Sequence, residues 1–210
     1  MTRILIADDH AIVRRGLKQI IEESELSAEV AEAENARQLL QLIRKENWDL
    51  LVLDINMPGM SGLEALAEVK EKRPKLPVLV LSMYPEEQFA VRVLKAGAAG
   101  YLTKDSAPDN LMTAIRKVLS GGKYLSPSMA DKLVADLQSP SGRPPHEALA
   151  DREYQVLCLI GKGKTVSEIA DELALSVKTI STYRTRILEK MNMKTNAELM
   201  QYAMRNRLVE

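Results

Sequence analysis

The stretch Leu50 to Gly62, LLVLDINMPGMSG, decides the fold. Four aliphatic residues end in one carboxylate, Asp54, and then in a loop carrying Pro58, Gly59 and Gly62. An apolar run that breaks into turn residues in this way reads as a strand buried on both faces, as the strands of a parallel sheet are. Asp54 is then offered to solvent by a rigid element, at the point where the strand leaves the core. To either side, strand-like and helix-like runs alternate: RILIAD then AIVRRGLKQIIEES, AEVAEAE then ARQLLQLIRKE, DLLVLD then GLEALAEVKEKR, PVLVLS then EEQFAVRVLKAG, and GYLT then PDNLMTAIRKVLSG. Five such pairs predict an α/β domain with a parallel sheet covered by helices on both faces. Gly97 and Gly121 stand where helices stop, and Ser106 with Pro108 where the last one starts.

Composition bounds the remaining possibilities. The chain has 210 residues, of which 46% are hydrophobic, enough to build cores without staples. No apolar run approaches the roughly 20 residues that span a bilayer, and the start MTRILIADDH turns acidic where a secretory leader would turn apolar. The expectation is a cytoplasmic protein with no membrane partner. A single cysteine, Cys158, excludes an internal disulfide, and with only His10 and His146 beside it no conventional zinc site can be built. Within YQVLCLIG, Cys158 reads as a small buried apolar residue. The net charge of zero hides a local asymmetry: Lys178, Arg184, Arg186, Lys190, Lys194, Arg205 and Arg207 face only Glu189 and Glu198 between residues 176 and 207. Such a patch attracts phosphates.

After Gly122 the alternation stops. SPSMADKLVADL is compatible with one short helix, and QSPSGRPPHEA, residues 138–148, has the composition of a flexible linker. REYQVLCLIGKG, TVSEIADELA, VKTISTYRTRILEKM and NAELMQYAMRNRL then predict four helices and no strand. The expected organisation is an α/β domain over 1–122, a short helix and linker over 123–148, and an all-α domain over 149–210.

In an open parallel sheet, ligands gather beyond the carboxyl ends of the strands. Those ends carry Asp8 and Asp9, Asp54, Ser82, and Thr103 with Lys104. Clustered carboxylates repel one another unless a hard cation sits among them, and Mg²⁺ fits best. Asp54 could then act as nucleophile toward a phosphoryl group whose oxygens Lys104 and Ser82 hold. Position alone does not separate phosphoryl transfer from metal binding.

With the acidic pair at 8 and 9, the acceptor in VLDINMPGMSG, Ser82 in VLVLS and Lys104 in GYLTK, residues 1 to about 122 resemble the receiver domain of a bacterial response regulator. The resemblance implies a flavodoxin-like fold with five parallel strands in the order 2-1-3-4-5. It implies Asp54 as phosphoacceptor, Mg²⁺ on Asp9, Asp54 and the backbone carbonyl of Asn56 with Asp8 acting through water, and Ser82 and Lys104 on the phosphoryl oxygens. Tyr101 becomes the aromatic that changes position, although its spacing alone reads as a half-buried strand residue. Two departures stand out. Asp105 follows the lysine where many receivers carry Pro, and Met83 follows Ser82 where a small residue is common.

In the second domain, Ile169, Leu173, Leu175, Val177, Ile180 and Ile187 are spaced so that two short helices pack across a turn near Leu175 and Ser176, with Ala170 leaving room for the crossing. Ser176 is the expected N-cap of the second helix, whose opposite face carries Lys178, Ser181, Thr182, Arg184 and Thr185. Cations reach phosphates, and small hydroxyl residues lie close to base edges. Residues 149–209 resemble the LuxR-type helix-turn-helix module of the NarL/FixJ family. This implies that Lys178, Thr179, Ser181, Thr182, Arg184, Thr185 and Arg186 face double-stranded DNA, and that Leu199, Tyr202 and Ala203 make a dimer contact. Those last residues, with Met200, have equally the spacing of an internal core. Ala150 replaces a common hydroxyl residue and weakens the expected N-cap of the module's first helix. Together the resemblances imply a transcription regulator, phosphorylated by a sensor histidine kinase and dimeric when active. A phosphatase with an Asp nucleophile is the competing enzyme reading, but Asn56 stands where its second carboxylate belongs. A flavin binder is a third, and the acidic loop DDHAIV would repel its phosphate.

Overall fold

The computed structural model describes residues 1–126, 129, 144–206, 208 and 209. They belong to two compact units, Met1–Asp136 and Leu137–Glu210. Most of the expected short helix and linker, residues 127, 128 and 130–143, lies outside the described residues, as does Arg207.

The first unit alternates β1 (Thr2–Ala7), α1 (Ala11–Glu22), β2 (Ala28–Ala33), α2 (Ala36–Lys45), β3 (Leu50–Asp54), α3 (Gly62–Lys72), β4 (Val78–Ser82), α4 (Glu86–Lys95), β5 (Gly100–Thr103) and α5 (Ala107–Leu119). All strands are parallel, in the order β2-β1-β3-β4-β5. The order explains the hydropathy: β3 and β4 are interior and buried at every residue, whereas β2, an edge strand, carries the polar sequence AEVAEA. On one face Ile4, Ile6, Val52 and Leu81 meet Leu17 and Ile21 of α1 and Leu111 and Ile115 of α5. Alternate strand residues such as Leu5, Leu51 and Leu53 point to the other face and are equally buried. Gly97 and Gly121 follow the last turns of α4 and α5 with φ of +95° and +83°, as the sequence predicts for helix stops.

β5 is the other edge strand, and the chain that follows α5 covers part of it. Tyr124 donates its N–H to the Ala99 carbonyl (2.9 Å) and accepts the N–H of Tyr101 (3.2 Å), while the Ser126 N–H is bonded to Glu86 Oε1 on α4 (2.9 Å).

Among its described residues the second unit has a 3-10 turn, Pro145–Ala148, within the stretch the sequence reading has as linker, followed by α6 (Asp151–Gly161), α7 (Val166–Glu172), α8 (Val177–Lys190) and α9 (Asn196–Arg205). α6 is buried along nearly its whole length and packs against both α8 and α9. Its N-cap, Ala150, has no side-chain acceptor, so only half of a capping box remains: Glu153 Oε2 accepts the Ala150 N–H at 2.8 Å. Thr165 and Glu168 make the complete box for α7, and Ser176 accepts the Thr179 N–H to cap α8, as predicted. The turn between α7 and α8 passes through Ala174 at φ +51°. Ile169, Ala170, Leu173, Ile180 and Ile187 are buried as expected, but Val177 is a correction: it is 51% exposed, because the first helical residue after the cap lies outside the apolar stripe.

Candidate functional site: an acidic pocket and a basic helix

Register builds the first site. Ala7 pairs with Leu53, Asp54 with Leu81, and Ser82 with Thr103, so the residues at the strand ends stand in a row along the carboxyl edge of the sheet. Asp8, Asp54 and Ser82 are each 0% exposed. Lys104 Nζ lies 2.7 Å from both Asp54 Oδ2 and Asp8 Oδ2. Asp54 Oδ1 accepts the Asn56 N–H at 2.9 Å, and Ser82 Oγ accepts the N–H of Tyr84 at 3.0 Å. The chain after Lys104 is held by the Lys104 N–H on the Ser82 carbonyl (2.8 Å) and by the hydroxyls of Thr103 and Ser106, 2.7 Å apart. Met83, the other departure, is 60% exposed.

The loop after Asp54 owes its shape to a close approach. A Cβ on Gly62 would lie 2.2 Å from the Asp54 carbonyl oxygen and 2.4 Å from Ile55 Cα, so only glycine lets α3 begin against this backbone. Ser61 and Glu64 then cap α3 reciprocally.

The electrostatics of the pocket follow from burial and close charges. The buried Asp54 and Asp8 share the Lys104 ammonium group, so their two negative charges meet one positive charge, while Asp9, with 26% of its side chain exposed, faces His10. Burial pushes the Asp54 carboxyl above its ordinary pKa and the charge of Asp8 adds to this, while Lys104 opposes it without cancelling. For Lys104, burial alone would lower the pKa, but Asp54 and Asp8 outweigh it and the net direction is up. Asp8 Oδ2 and Asp9 Oδ1 are sealed from solvent and accept no aligned hydrogen bond, although Lys104 Nζ stands 2.7 Å from the first and His10 Nδ1 2.9 Å from the second. Donor atoms of Asp8, Asp9, His10 and Asp54 all fall within 4.8 Å of one another. Carboxylate oxygens at this spacing with unsatisfied lone pairs suit a hard divalent cation.

Tyr101 differs from the spacing-based reading: it is 1% exposed, and its hydroxyl donates to the Tyr84 carbonyl at 2.8 Å. Burial drives its pKa well up. Tyr84 therefore joins Ser82, through its N–H, to Tyr101, through its carbonyl. Sequence reasoning missed Tyr84, whose backbone does the work and leaves no residue-type signal. It also missed His10, set aside as a zinc ligand although it directly follows the acidic pair, and whose N–H is bonded to Asp8 Oδ1 at 2.7 Å.

On α8, Lys178, Ser181, Thr182, Thr185 and Arg186 are exposed along one side. Thr182 and Thr185 donate to the Lys178 and Ser181 carbonyls, each at 3.0 Å, leaving their oxygens as outward acceptors. Thr179 is half-buried, with its hydroxyl 2.8 Å from that of Ser176. Arg184 is half-buried and donates Nε to Asn196 Oδ1 at 2.5 Å, and Lys190 pairs with the buried Glu153 at 2.7 Å. On α9, Leu199 and Ala203 are 0% exposed, which favours the internal-core alternative for these two residues. Ala203 lies where a Cβ on Gly161 of α6 would be 2.7 Å away, so these side chains fill the module's own core. Tyr202 is half-buried, its hydroxyl 2.8 Å from His146 Nδ1.

Residues 4–116 match the family described as response regulator receiver domain, and residues 147–203 match bacterial regulatory proteins of the luxR family. The chain is 37% identical over 210 residues to the response regulator GacA of Pseudomonas protegens, covering 100% of this chain and 99% of that one. It is 35% identical over 215 residues to the oxygen regulatory protein NreC of Staphylococcus carnosus, with 99% of each chain covered. Among solved structures it is similar to RcsB from Salmonella enterica serovar Typhimurium bound to promoter rprA in the presence of the phosphomimetic BeF3-, with TM-score 0.64, 28% identity and 96% and 98% of the two chains covered.

Proposed function

Because this chain belongs to the NarL/FixJ family of two-component response regulators, a receiver domain joined to a LuxR-type DNA-binding domain, we propose that a sensor histidine kinase phosphorylates Asp54 and thereby controls dimerisation and sequence-specific DNA binding. The chain is a transcription regulator, not an enzyme. The observation that carries the proposal is Lys104 Nζ, 2.7 Å from both Asp54 and Asp8, in a pocket with surplus negative charge.

In the transfer, an Asp54 carboxylate oxygen bonds to phosphorus as the P–N bond to the kinase's phosphohistidine breaks, leaving an acyl phosphate on Asp54 and the electron pair on the imidazole. Asp9, Asp54 and the Asn56 carbonyl, with Asp8 through water, would hold Mg²⁺, which would supply charge neutralisation for the phosphoryl oxygens when bound. Lys104 exchanges its bond to Asp54 for one to a phosphoryl oxygen, and Ser82 turns its hydroxyl to another. Leaving Tyr84 in this way loosens the backbone that holds the Tyr101 hydroxyl, so Tyr101 moves and the face formed by α4 and β5 changes.

The output is DNA recognition by α8 in the major groove. Lys178 and Arg186 meet phosphates, with Arg184 and Thr179 steadying the helix, and Ser181, Thr182 and Thr185 approach base edges. Two copies engage half-sites about one helical turn apart. Promoter-bound RcsB with a phosphomimetic present supports this coupling of modification to DNA binding. Domain limits of 1–122 and 149–210 and a cytoplasmic location complete the reading.

The test combines acetyl phosphate labelling with selection of bound DNA from a random pool. Wild type is expected to take one acid-labile, hydroxylamine-sensitive acyl phosphate per chain and, once labelled, to enrich a twofold site. Undiminished label on Asp54→Ala, or identical pools with and without phosphodonor, would overturn the proposal.

A further inference from the structure

Arg14 is the buried cation of α1, its side chain 7% exposed, and it makes no bond to the carboxylates of the acidic pocket. Its Nη1 donates instead to the backbone carbonyl of Asp8 at 2.8 Å. Nε reaches Glu32 Oε2 at 3.2 Å and Nη2 reaches Glu34 Oε1 at 3.3 Å, at the end of β2 and just beyond it. The Asp8 N–H is itself bonded to the Ala33 carbonyl at 3.2 Å. Asp8 is therefore gripped on both sides, by the neighbouring strand through its N–H and by Arg14 through its carbonyl. That carbonyl belongs to the peptide that carries Asp9.

We propose that Arg14 is a positioning residue for the cation pocket: by clamping the Asp8 carbonyl it fixes the directions in which Asp8 and Asp9 present their carboxylates, and so sets the affinity for Mg²⁺. The inference rests on the magnesium reading above. Glu32 and Glu34 compensate the buried guanidinium, which would otherwise be too costly to keep there. Groups that orient ligands from behind are worth about 10–100-fold in metal affinity.

Charge alone predicts the opposite sign. A guanidinium behind an acidic pocket repels a dication, so its removal acting only through space would tighten Mg²⁺ binding. Loss of the clamp weakens it.

The experiment titrates the full chain with MgCl₂ by calorimetry and by amide NMR of residues 8–10, using wild type, Arg14→Met, Arg14→Lys and Lys18→Met. Arg14→Met is expected to weaken Mg²⁺ by about 10-fold or more, and Arg14→Lys, which keeps one donor for the carbonyl, to recover part of the loss. Lys18→Met removes a cation that pairs with Glu32 at 3.7 Å without touching Asp8, and leaves affinity unchanged or slightly tighter. At saturating Mg²⁺, labelling of Arg14→Met by acetyl phosphate returns toward the wild-type rate. Thermal melts in chelator establish that each variant is folded; should Arg14→Met fail this, Arg14→Lys carries the comparison with wild type. Wild-type or tighter binding in the folded Arg14 variants overturns the inference while the pocket reading stands. No Mg²⁺ binding by wild type overturns the pocket reading, and this inference with it.

Discussion

Asp54 is kept where its own charge is costly. Burial first, and Asp8 second, raise its pKa in the folded chain. A carboxyl raised in this way holds its proton at a pH where the unfolded chain has lost it. Its contribution to stability is complete below the unfolded carboxylate range and is lost as pH rises through the folded value. Asp54→Asn is therefore expected to melt higher than wild type in chelator at neutral pH, with the gap growing as pH rises from about 4. A gap that shrinks over that range would show that Lys104 dominates instead. If the pocket binds Mg²⁺ as proposed, added Mg²⁺ is expected to offset the advantage, since saturation at 100 times its dissociation constant would stabilise wild type by about 2.7 kcal/mol. Gly62 bears on the same residue from the other side: Gly62→Ala drives a methyl into the Asp54 carbonyl, and acetyl phosphate labelling is expected to slow even where circular dichroism shows a folded chain. At this scale the sequence was informative where chemistry and strand position coincide. Asp8, Asp9, Asp54, Ser82 and Lys104 are polar residues closing apolar runs, and a parallel register brings such residues together. Arg14 carried no such mark, because its partners Glu32 and Glu34 lie on another strand and beyond it, and only the fold makes it the neighbour of Asp8.

Two glycines separate helix propensity from packing. Gly16 lies exposed within α1, with nothing within 4 Å of an added Cβ, so Gly16→Ala is expected to stabilise the receiver unit by about 1 kcal/mol. At Gly100 on β5 the same methyl meets the Tyr124 Cβ and carbonyl oxygen at 2.9 Å, and overpacking there costs about 1–3 kcal/mol. Melts of the two variants should move in opposite directions. On α8 the cations divide by what already holds them. Arg186 is exposed, and Arg186→Ala is expected to lower the salt slope of DNA binding by about one counterion. Lys190 is committed to the buried Glu153, so Lys190→Ala lowers the melting temperature and leaves the slope alone. Periodicity made these elements legible, including α9, whose Leu199 and Ala203 share one face. It could not say what covers that face, because the answer is α6, and Gly161 on α6 gives no sign in the sequence that Ala203 packs against it.

At the scale of the whole chain, an average charge of zero conceals one acidic pocket and one basic helix on different units, and each end of the connecting segment is fastened to its own unit. Tyr124 and Ser126 bond to β5 and α4, while His146 bonds to Tyr202 on α9. A change at Tyr101 thus meets the start of that segment directly, since the Tyr101 N–H is one of its bonds. Composition marked residues 138–148 as linker, but it could not register the side-chain pairing of His146 with Tyr202, 56 residues further on, which only the fold brings together. Two mechanisms of activation then differ in their salt dependence. If phosphorylation only uncovers α8 of a monomer, affinity rises while the number of counterions released stays constant. Pairing two copies on adjacent half-sites doubles the phosphate contacts, so the slope of log affinity against log salt roughly doubles as affinity rises. Binding isotherms across a salt series, with and without acetyl phosphate, are expected to show the doubled slope together with a higher sedimentation coefficient. A parallel shift without change of slope would leave phosphorylation acting on a monomer.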